Sequence, residues 1–222
     1  MERRGVNYLA IGDSLTTGVG ASGKPDGFVS IYRHYASGAL QAPVKTLTVA
    51  RSGLTTGQIH RLVYQQPVTS ITEANFITIT GGGNDLIQSV QYGRQPFSVE
   101  KVEHAIKNAI YWMTQLVSYI TEIKRGKAIP YKIIVFNSYN PLDSVPFVDQ
   151  SIKSFNRGIQ SLTRFPHVQV VDVYQAFKRR NHYVLSRDAF HPNNKGYSIM
   201  ANEAAKKRFS AKLKCGFLSL FI

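Results

Sequence analysis

Short runs of β-branched and apolar residues alternate along this chain with longer stretches of helical periodicity, and that alternation limits the fold more than any other feature. Val6–Gly12 (VNYLAIG), Val44–Ala50 (VKTLTVA), residues 75–80 (NFITIT), 131–136 (YKIIVF) and 168–173 (VQVVDV) have the length and composition of strands. Gly27–Leu40 and residues 55–64, 98–125, 147–163 and 194–213 read as helices between and after them. In residues 98–125 the stripe is plainest: Val102, Ile106, Ala109, Met113, Leu116, Val117 and Ile120 recur at steps of three and four. Strands joined through helices make right-handed crossovers. The expected fold is therefore α/β, three layers (α/β/α) around a five-stranded parallel sheet covered on both faces.

The chain has 222 residues, 43% of them hydrophobic, enough for one domain (1–214) with a full core and a short apolar tail (215–222). The single cysteine, Cys215, excludes a disulfide framework and a cysteine-rich zinc site. His34, His60, His104, His167 and His182 lack metal-ligand spacing and read as surface or core residues, so they point to no metal. No apolar run is long enough to span a bilayer, and Asp13 interrupts the only apolar stretch after Arg3 and Arg4, which argues against a secretory signal. The expectation is a soluble, cytoplasmic protein.

Charge narrows the partners. Lys and Arg total 27 against 13 Asp and Glu, a formal charge of +14. The excess gathers toward the C-terminus, at Lys178, Arg179, Arg180, Lys206, Lys207, Arg208, Lys212 and Lys214. No recognition-helix pattern, RNA-binding aromatic strand or zinc-finger spacing accompanies it, so specific nucleic-acid binding is not expected. Contact with an anionic membrane fits the charge better. Residues 215–222 (CGFLSLFI) read as a tail docked on its own domain, a non-native extension, or a peripheral membrane foot.

Ligands of an open parallel sheet bind beyond the carboxyl ends of its strands. The first strand runs into Gly12-Asp13-Ser14-Leu15, the second into Arg51-Ser52-Gly53, and the third into Gly81-Gly82-Gly83-Asn84-Asp85. The fifth leads through a short helix and loop to Asp188-Ala189-Phe190-His191-Pro192. Brought to one rim, these loops supply a nucleophile, a base, a base-orienter and oxyanion donors. Each segment also has a plainer reading: GDS as a capped turn, Asn84-Asp85 as a turn with Asp85 capping the following helix, and Asp188 with His191 as a loop hydrogen bond. Two rival motifs fail. Gly18 to Gly23 spells GxGxxG, but five residues separate it from the strand that a dinucleotide fingerprint must directly follow. The GxSxG elbow of α/β-hydrolases does not occur.

GDSL at 12–15, Gly53, GGND at 82–85 and DAFH at 188–191 resemble, in order, the four sequence blocks of the GDSL, or SGNH, hydrolases. GDSLTTGVGAS and HPNNKGY most resemble the small lipases and esterases of spore-forming bacteria, spore-germination lipases among them; a spore association follows from that likeness. The second block departs from the pattern, with Ala50-Arg51-Ser52 where many relatives carry an asparagine near the glycine. The resemblance implies a flavodoxin-like sheet of order 2-1-3-4-5 and a serine ester hydrolase working through an acyl-enzyme. Ser14 would be the nucleophile and His191 its base, with neither a metal nor an organic cofactor needed. Asp188 would orient the ring. The N–H groups of Ser14 and Gly53 and the Asn84 amide would form the oxyanion hole. Residues 139–150 (YNPLDSVPFVDQ) offer an acyl groove, favouring lipid or phospholipid esters. Acetylated sugars are the alternative substrate, and an inactive basic module that binds membrane or nucleic acid is the alternative function.

Overall fold

The computed structural model describes residues 5–23, 27–91, 98–142 and 144–207. In chain order they form β1 (Val6–Gly12), α1 (Ser14–Thr17), α2 (Gly27–Leu40), β2 (Val44–Ala50), α3 (Thr56–Tyr64), α4 (Val68–Thr72) and β3 (Phe76–Ile79). Then follow α5 (Gly83–Gln91), α6 (Val99–Lys124), β4 (Lys132–Phe136), α7 (Pro146–Gln160), β5 (Val168–Val171), α8 (Val173–Phe177), α9 (Asn181–Val184) and α10 (Asn194–Lys206). The five strands are parallel and stand in the order β2-β1-β3-β4-β5, as the resemblance implied. Residues 208–222, with the apolar tail and the last of the basic cluster, lie outside the described residues.

Successive strand residues point to opposite faces, and the two faces own separate cores. Leu9, Ile11, Ile77, Ile79, Ile133 and Val135 pack beneath α3, α6 and α7 with Ile59, Met113, Val117 and Phe155. Tyr8, Ala10, Phe76, Ile134 and Phe136 pack on the other side under α2 and α10 with Phe28, Tyr32, Tyr197 and Met200. The apolar stripe of α6 is the one its periodicity predicted, with Ser98 capping the helix by accepting from the Lys101 N–H. β2 forms one edge of the sheet and exposes residues 45–48.

Several expected boundaries move. The strand expected over 168–173 stops at Val171, because the Asp172 carboxylate accepts from the Gln175 N–H and starts α8. The helix expected over 147–163 ends at Gln160 and passes into a 3-10 turn over Ser161–Arg164. α1 and α4, a turn or so each, carry too few residues for periodicity to reveal them.

One buried charge pins the far end of the sheet. Lys124, the last residue of α6, is 2% exposed and donates from Nζ to the carbonyls of Thr72 (2.9 Å) and Ala74 (2.6 Å), with its ammonium over the Tyr131 ring. It thereby satisfies carbonyls at the end of α4 that would otherwise be orphaned. Burial lowers its pKa to about 8, and burial together with Lys207 does the same for Lys132. The unfolded chain holds both protons up to the ordinary lysine value near ~10.4. Between about pH 8 and that value the unfolded state binds more protons, so these groups add stability as pH rises and lose it as pH falls back through 8. In Lys124→Met, urea unfolding at pH 7.5 and pH 10 is expected to show a smaller alkaline gain in midpoint than the wild type; equal gains would contradict this.

Candidate active site

The sheet order reverses beside β1, and the chain leaves β1 through Gly12 into a helical turn rather than directly into the Gly-rich loop. Asp13 caps that turn, its carboxylate accepting the Leu15 N–H at 3.1 Å, and Ser14 is the first residue inside it. A polar layer lies beneath. Thr80, just past β3, donates to Asp13 Oδ1 at 2.8 Å, and the Thr16 hydroxyl stands 2.9 Å from Thr80 Oγ1 and 3.0 Å from the Ile11 carbonyl. Burial raises the Asp13 carboxyl above its ordinary pKa, although Thr80 and the Leu15 N–H pull the other way.

Across the rim, the loop after α9 presents Asp188 and His191. His191 Nε2 lies 2.9 Å from Ser14 Oγ, and Nδ1 lies 2.6 Å from Asp188 Oδ2, so residues separated by most of the chain form one hydrogen-bonded line. The other Asp188 oxygen accepts from the Ser186 hydroxyl and from the Phe190 and His191 N–H groups at 2.8–2.9 Å. Burial works to raise the Asp188 carboxyl, but these donors and the His191 ring outweigh it and hold it well below the usual carboxylate range. Asp188 thus stays an acceptor and fixes the imidazole tautomer with its hydrogen on Nδ1.

Neighbours hold the loop shut. Ser186 N–H donates to the His191 carbonyl, Leu185 bridges Pro192, and the Tyr139 hydroxyl donates to the Phe190 carbonyl. The GxGxxG stretch is the seat of this loop. A Cβ on Gly20, whose φ is +90°, would stand 2.6 Å from the Pro192 carbonyl oxygen and 2.9 Å from His191 Cβ. Asn194 clamps the same stretch by exchanging hydrogen bonds with the Ser22 backbone, and the Tyr197 hydroxyl donates to the Val19 carbonyl. Nothing in the sequence patterns singled out Tyr139, Thr80 or Gly20 for these parts.

The expected oxyanion donors fare unequally. The N–H groups of Ser14 and Gly53 find no acceptor among the described residues. Asn84 Nδ2 donates to the Leu54 carbonyl at 2.9 Å, which ties β3's exit to the loop after β2 and leaves one of the two amide hydrogens unengaged. Asp85 does not cap its own helix. It sits inside the first turn of α5, and its carboxylate accepts from the Thr56 N–H (2.9 Å) and hydroxyl (2.8 Å), binding the start of α3. Burial raises its pKa against those bonds.

Ser14, Asn84 and His191 all line one cavity of about 350 Å³, whose remaining wall is mainly apolar; Gly53 is not part of that wall. A wider, open depression of about 1080 Å³ between α3, α5 and α6 touches neither Ser14 nor His191. Among the described residues no cluster of His, Cys, Asp and Glu could hold a metal ion.

With the hydrogen-bonded line, the cavity and the sheet order in view, the comparison with known proteins is decisive. Residues 10–199 match the GDSL-like Lipase/Acylhydrolase family. The chain belongs to this family. This GDSL-family enzyme is a serine ester hydrolase by type, with the flavodoxin-like sheet of its relatives. It is 36% identical over 203 residues to the spore germination lipase LipC of Bacillus licheniformis, a match covering 89% of this chain and 94% of that one. A crystal structure of the lipase Lip_vut3 from a goat rumen metagenome superposes with a TM-score of 0.87 at 33% identity, over 93% of this chain and 99% of that one. An acetylxylan esterase from Geobacillus stearothermophilus shares the fold, with a TM-score of 0.66 at 18% identity over 95% and 98% of the two chains.

The close approach at Gly20 makes a direct test of how this GDSL-family site is assembled. Gly20→Ala is expected to push the His191 loop outward and lower kcat on a p-nitrophenyl ester by about a hundred-fold, the scale of loss that a misplacement of an ångström or so brings in a hydrolytic site. Far-UV circular dichroism should stay unchanged. Full activity in a folded variant would show that the loop does not depend on that contact.

Proposed function

We propose that the chain hydrolyses lipid esters with acyl groups longer than acetyl, using Ser14, His191 and Asp188 as its catalytic triad. Ser14 Oγ attacks the ester carbonyl carbon while His191 Nε2 takes its proton. Asp188 holds the ring and stabilises the imidazolium. The tetrahedral oxyanion is met by the N–H groups of Ser14 and Gly53 and the free hydrogen of the Asn84 amide, each worth about 10²–10³ in turnover. Collapse expels the alcohol, which takes the proton from His191, and leaves the acyl group on Ser14. Water, deprotonated by the same imidazole, then releases the acid and restores the serine.

The observation that carries the substrate class is the apolar wall of the cavity beside Ser14. Leu86 and Ile87 of α5, Val102 of α6, and Phe147, Val148 and Ile152 of α7 line it, far more apolar surface than an acetyl group could cover. An acyl chain buried there gains roughly 0.8 kcal/mol per methylene removed from water. Tyr139, Pro141 and Leu142 of the loop after β4 line the same cavity, which supports the reading of that loop as part of an acyl groove.

A series of p-nitrophenyl esters from acetate to dodecanoate tests the reading. kcat/KM is expected to rise from acetate through octanoate, and Ser14→Ala is expected to remove turnover and labelling by a fluorophosphonate while leaving the fold intact. Cleavage confined to acetate would sink the lipid reading, and residual activity in Ser14→Ala would remove the serine from the mechanism.

The depth of the cavity gives a sharper test. Val102 is buried in its wall, and Val102→Phe would fill space there. KM for octanoate is expected to rise about ten-fold or more, the scale on which a pocket discriminates methylene lengths. Acetate kinetics should change little. Equal effects on both esters would mean that the acyl chain lies elsewhere.

A further inference from the structure

Large apolar side chains that a folded protein would ordinarily hide are gathered around the mouth of this cavity. Val90 of α5, Leu142 and Phe190 line the cavity and yet are exposed, as are Val145 and Val99; the five range from 39% to 52%. Val145 N–H donates to the Leu142 carbonyl, which sets the two side by side in one turn. Val99 lies one helical turn before the cavity residue Val102, on the same face of α6. The residues come from four separate segments, so their convergence owes nothing to one apolar stretch of sequence.

Exposed basic residues lie near the rim residues along the chain. Arg187 is exposed three residues before Phe190, and Lys195 places its ammonium 3.8 Å from the ring of the exposed Tyr183, whose carbonyl is tied to Asn193 in the same loop system. Of the carboxylates beside rim residues in the chain, Asp149 is paired with Lys153 at 2.6 Å, while Asp188 is hydrogen-bonded by His191 and Glu100 by the Ser98 hydroxyl. Apolar side chains flanked by a lysine-capped tyrosine and an arginine match the boundary between acyl chains and anionic headgroups. A second copy of the chain fits worse, since two faces of a molecule carrying +14 would repel.

We propose that this rim is an interfacial docking face, seated on an anionic phospholipid surface so that the cavity opens directly into the lipid from which its acyl chain is drawn. The inference rests on the reading of the cavity as an acyl site, and it adds the partner and the orientation. Docked this way, an acyl chain passes from bilayer to cavity wall without crossing water, and each rim side chain buried in the interface strengthens the attachment in proportion to its apolar area.

The test uses the full chain carrying Ser14→Ala, so that vesicles survive, sedimented with large vesicles of phosphatidylcholine alone or mixed with phosphatidylglycerol. Binding is expected to the mixed vesicles and to weaken with salt. Added to that background, Val99→Asp with Val145→Asp is expected to cut binding at least ten-fold, and Lys195→Glu by about five-fold or more, the scale for one basic residue at an anionic surface. In the otherwise wild-type enzyme, Val99→Asp with Val145→Asp should leave turnover of soluble p-nitrophenyl butyrate unchanged. Undiminished vesicle binding by the double variant would overturn the proposal, because attachment would then run through another part of the chain. Equal binding to neutral vesicles would overturn the anionic partner, and dimerisation of the wild type that the double variant abolishes would assign the rim to a second copy. Absent vesicle binding with octanoate turnover intact would reject the docking face and leave the acyl-site reading standing.

Discussion

The site depends on a close contact between two loops that the chain makes at opposite ends. Ser14 follows the first strand and His191 precedes the last helix, yet their side chains meet at 2.9 Å. The hydrogen bond itself is too weak to draw the loops together, because a typical bond contributes about 1 kcal/mol net. What holds it is packing around it. Gly20 lets the stretch after α1 lie against Pro192 and His191, while Asn194 and Tyr197 of α10 fasten that stretch to the same helix that carries the histidine loop. Tyr139 adds a tie from the loop after β4. α10 and α2 pack together over one face of the sheet, so the Ser14–His191–Asp188 line is positioned by a core and not by its own contacts.

Beneath Ser14, Asp13, Thr80 and Thr16 form a buried polar layer where an apolar one would be expected. Its members satisfy one another and the Ile11 carbonyl, which is the condition for burying such groups at all. The layer fastens the turn after β1 to the end of β3, and so relates Ser14 to the loop that carries Asn84. Asp85 continues the same pattern by binding the N-terminus of α3, and Asn84 by binding the Leu54 carbonyl. Two neighbouring polar residues therefore lock the second and third loops together. Gly82 allows this loop its path: its φ is +105°, and a Cβ there would stand 2.1 Å from the Phe155 ring.

Much of this was legible in the sequence because it follows from local rules. Strand runs such as FITI and KIIVF are apolar on both faces, the stripe of α6 repeats at helical spacing, and the four blocks fall at strand ends where an open sheet binds ligands. What was not legible is relational. Asp85 looked like a cap for its own helix, since a carboxylate next to Gly83-Asn84 has the right local signature; only the approach of α3 redirects it. The GxGxxG stretch could be rejected as a nucleotide loop, but its use as the bed of His191 is fixed by a residue far along the chain. Lys124 is a similar case. A lysine ending a helix normally keeps its charge in water, and here the carbonyls of Thr72 and Ala74 take it inside.

The two faces of the sheet divide the work. The His191 loop is anchored by α10, on the side of Tyr8, Phe136 and Tyr197, whereas the apolar wall of the cavity comes chiefly from α5, α6 and α7, on the side of Ile79, Val135 and Phe155. β1 stands between them and contributes residues to both cores, so Ser14 at its end meets the His191 loop from one side and the cavity's apolar wall from the other. Val102 and Ile152 belong to the core of one face, and Tyr197 to that of the other; Tyr139 crosses the division, lining the cavity while tying the His191 loop. On the proposed reading, changes at Val102 or Ile152 alter which acyl group fits with little movement of the imidazole. A fold arranged this way can keep one hydrolytic centre while its specificity is reset by the helices on a single face.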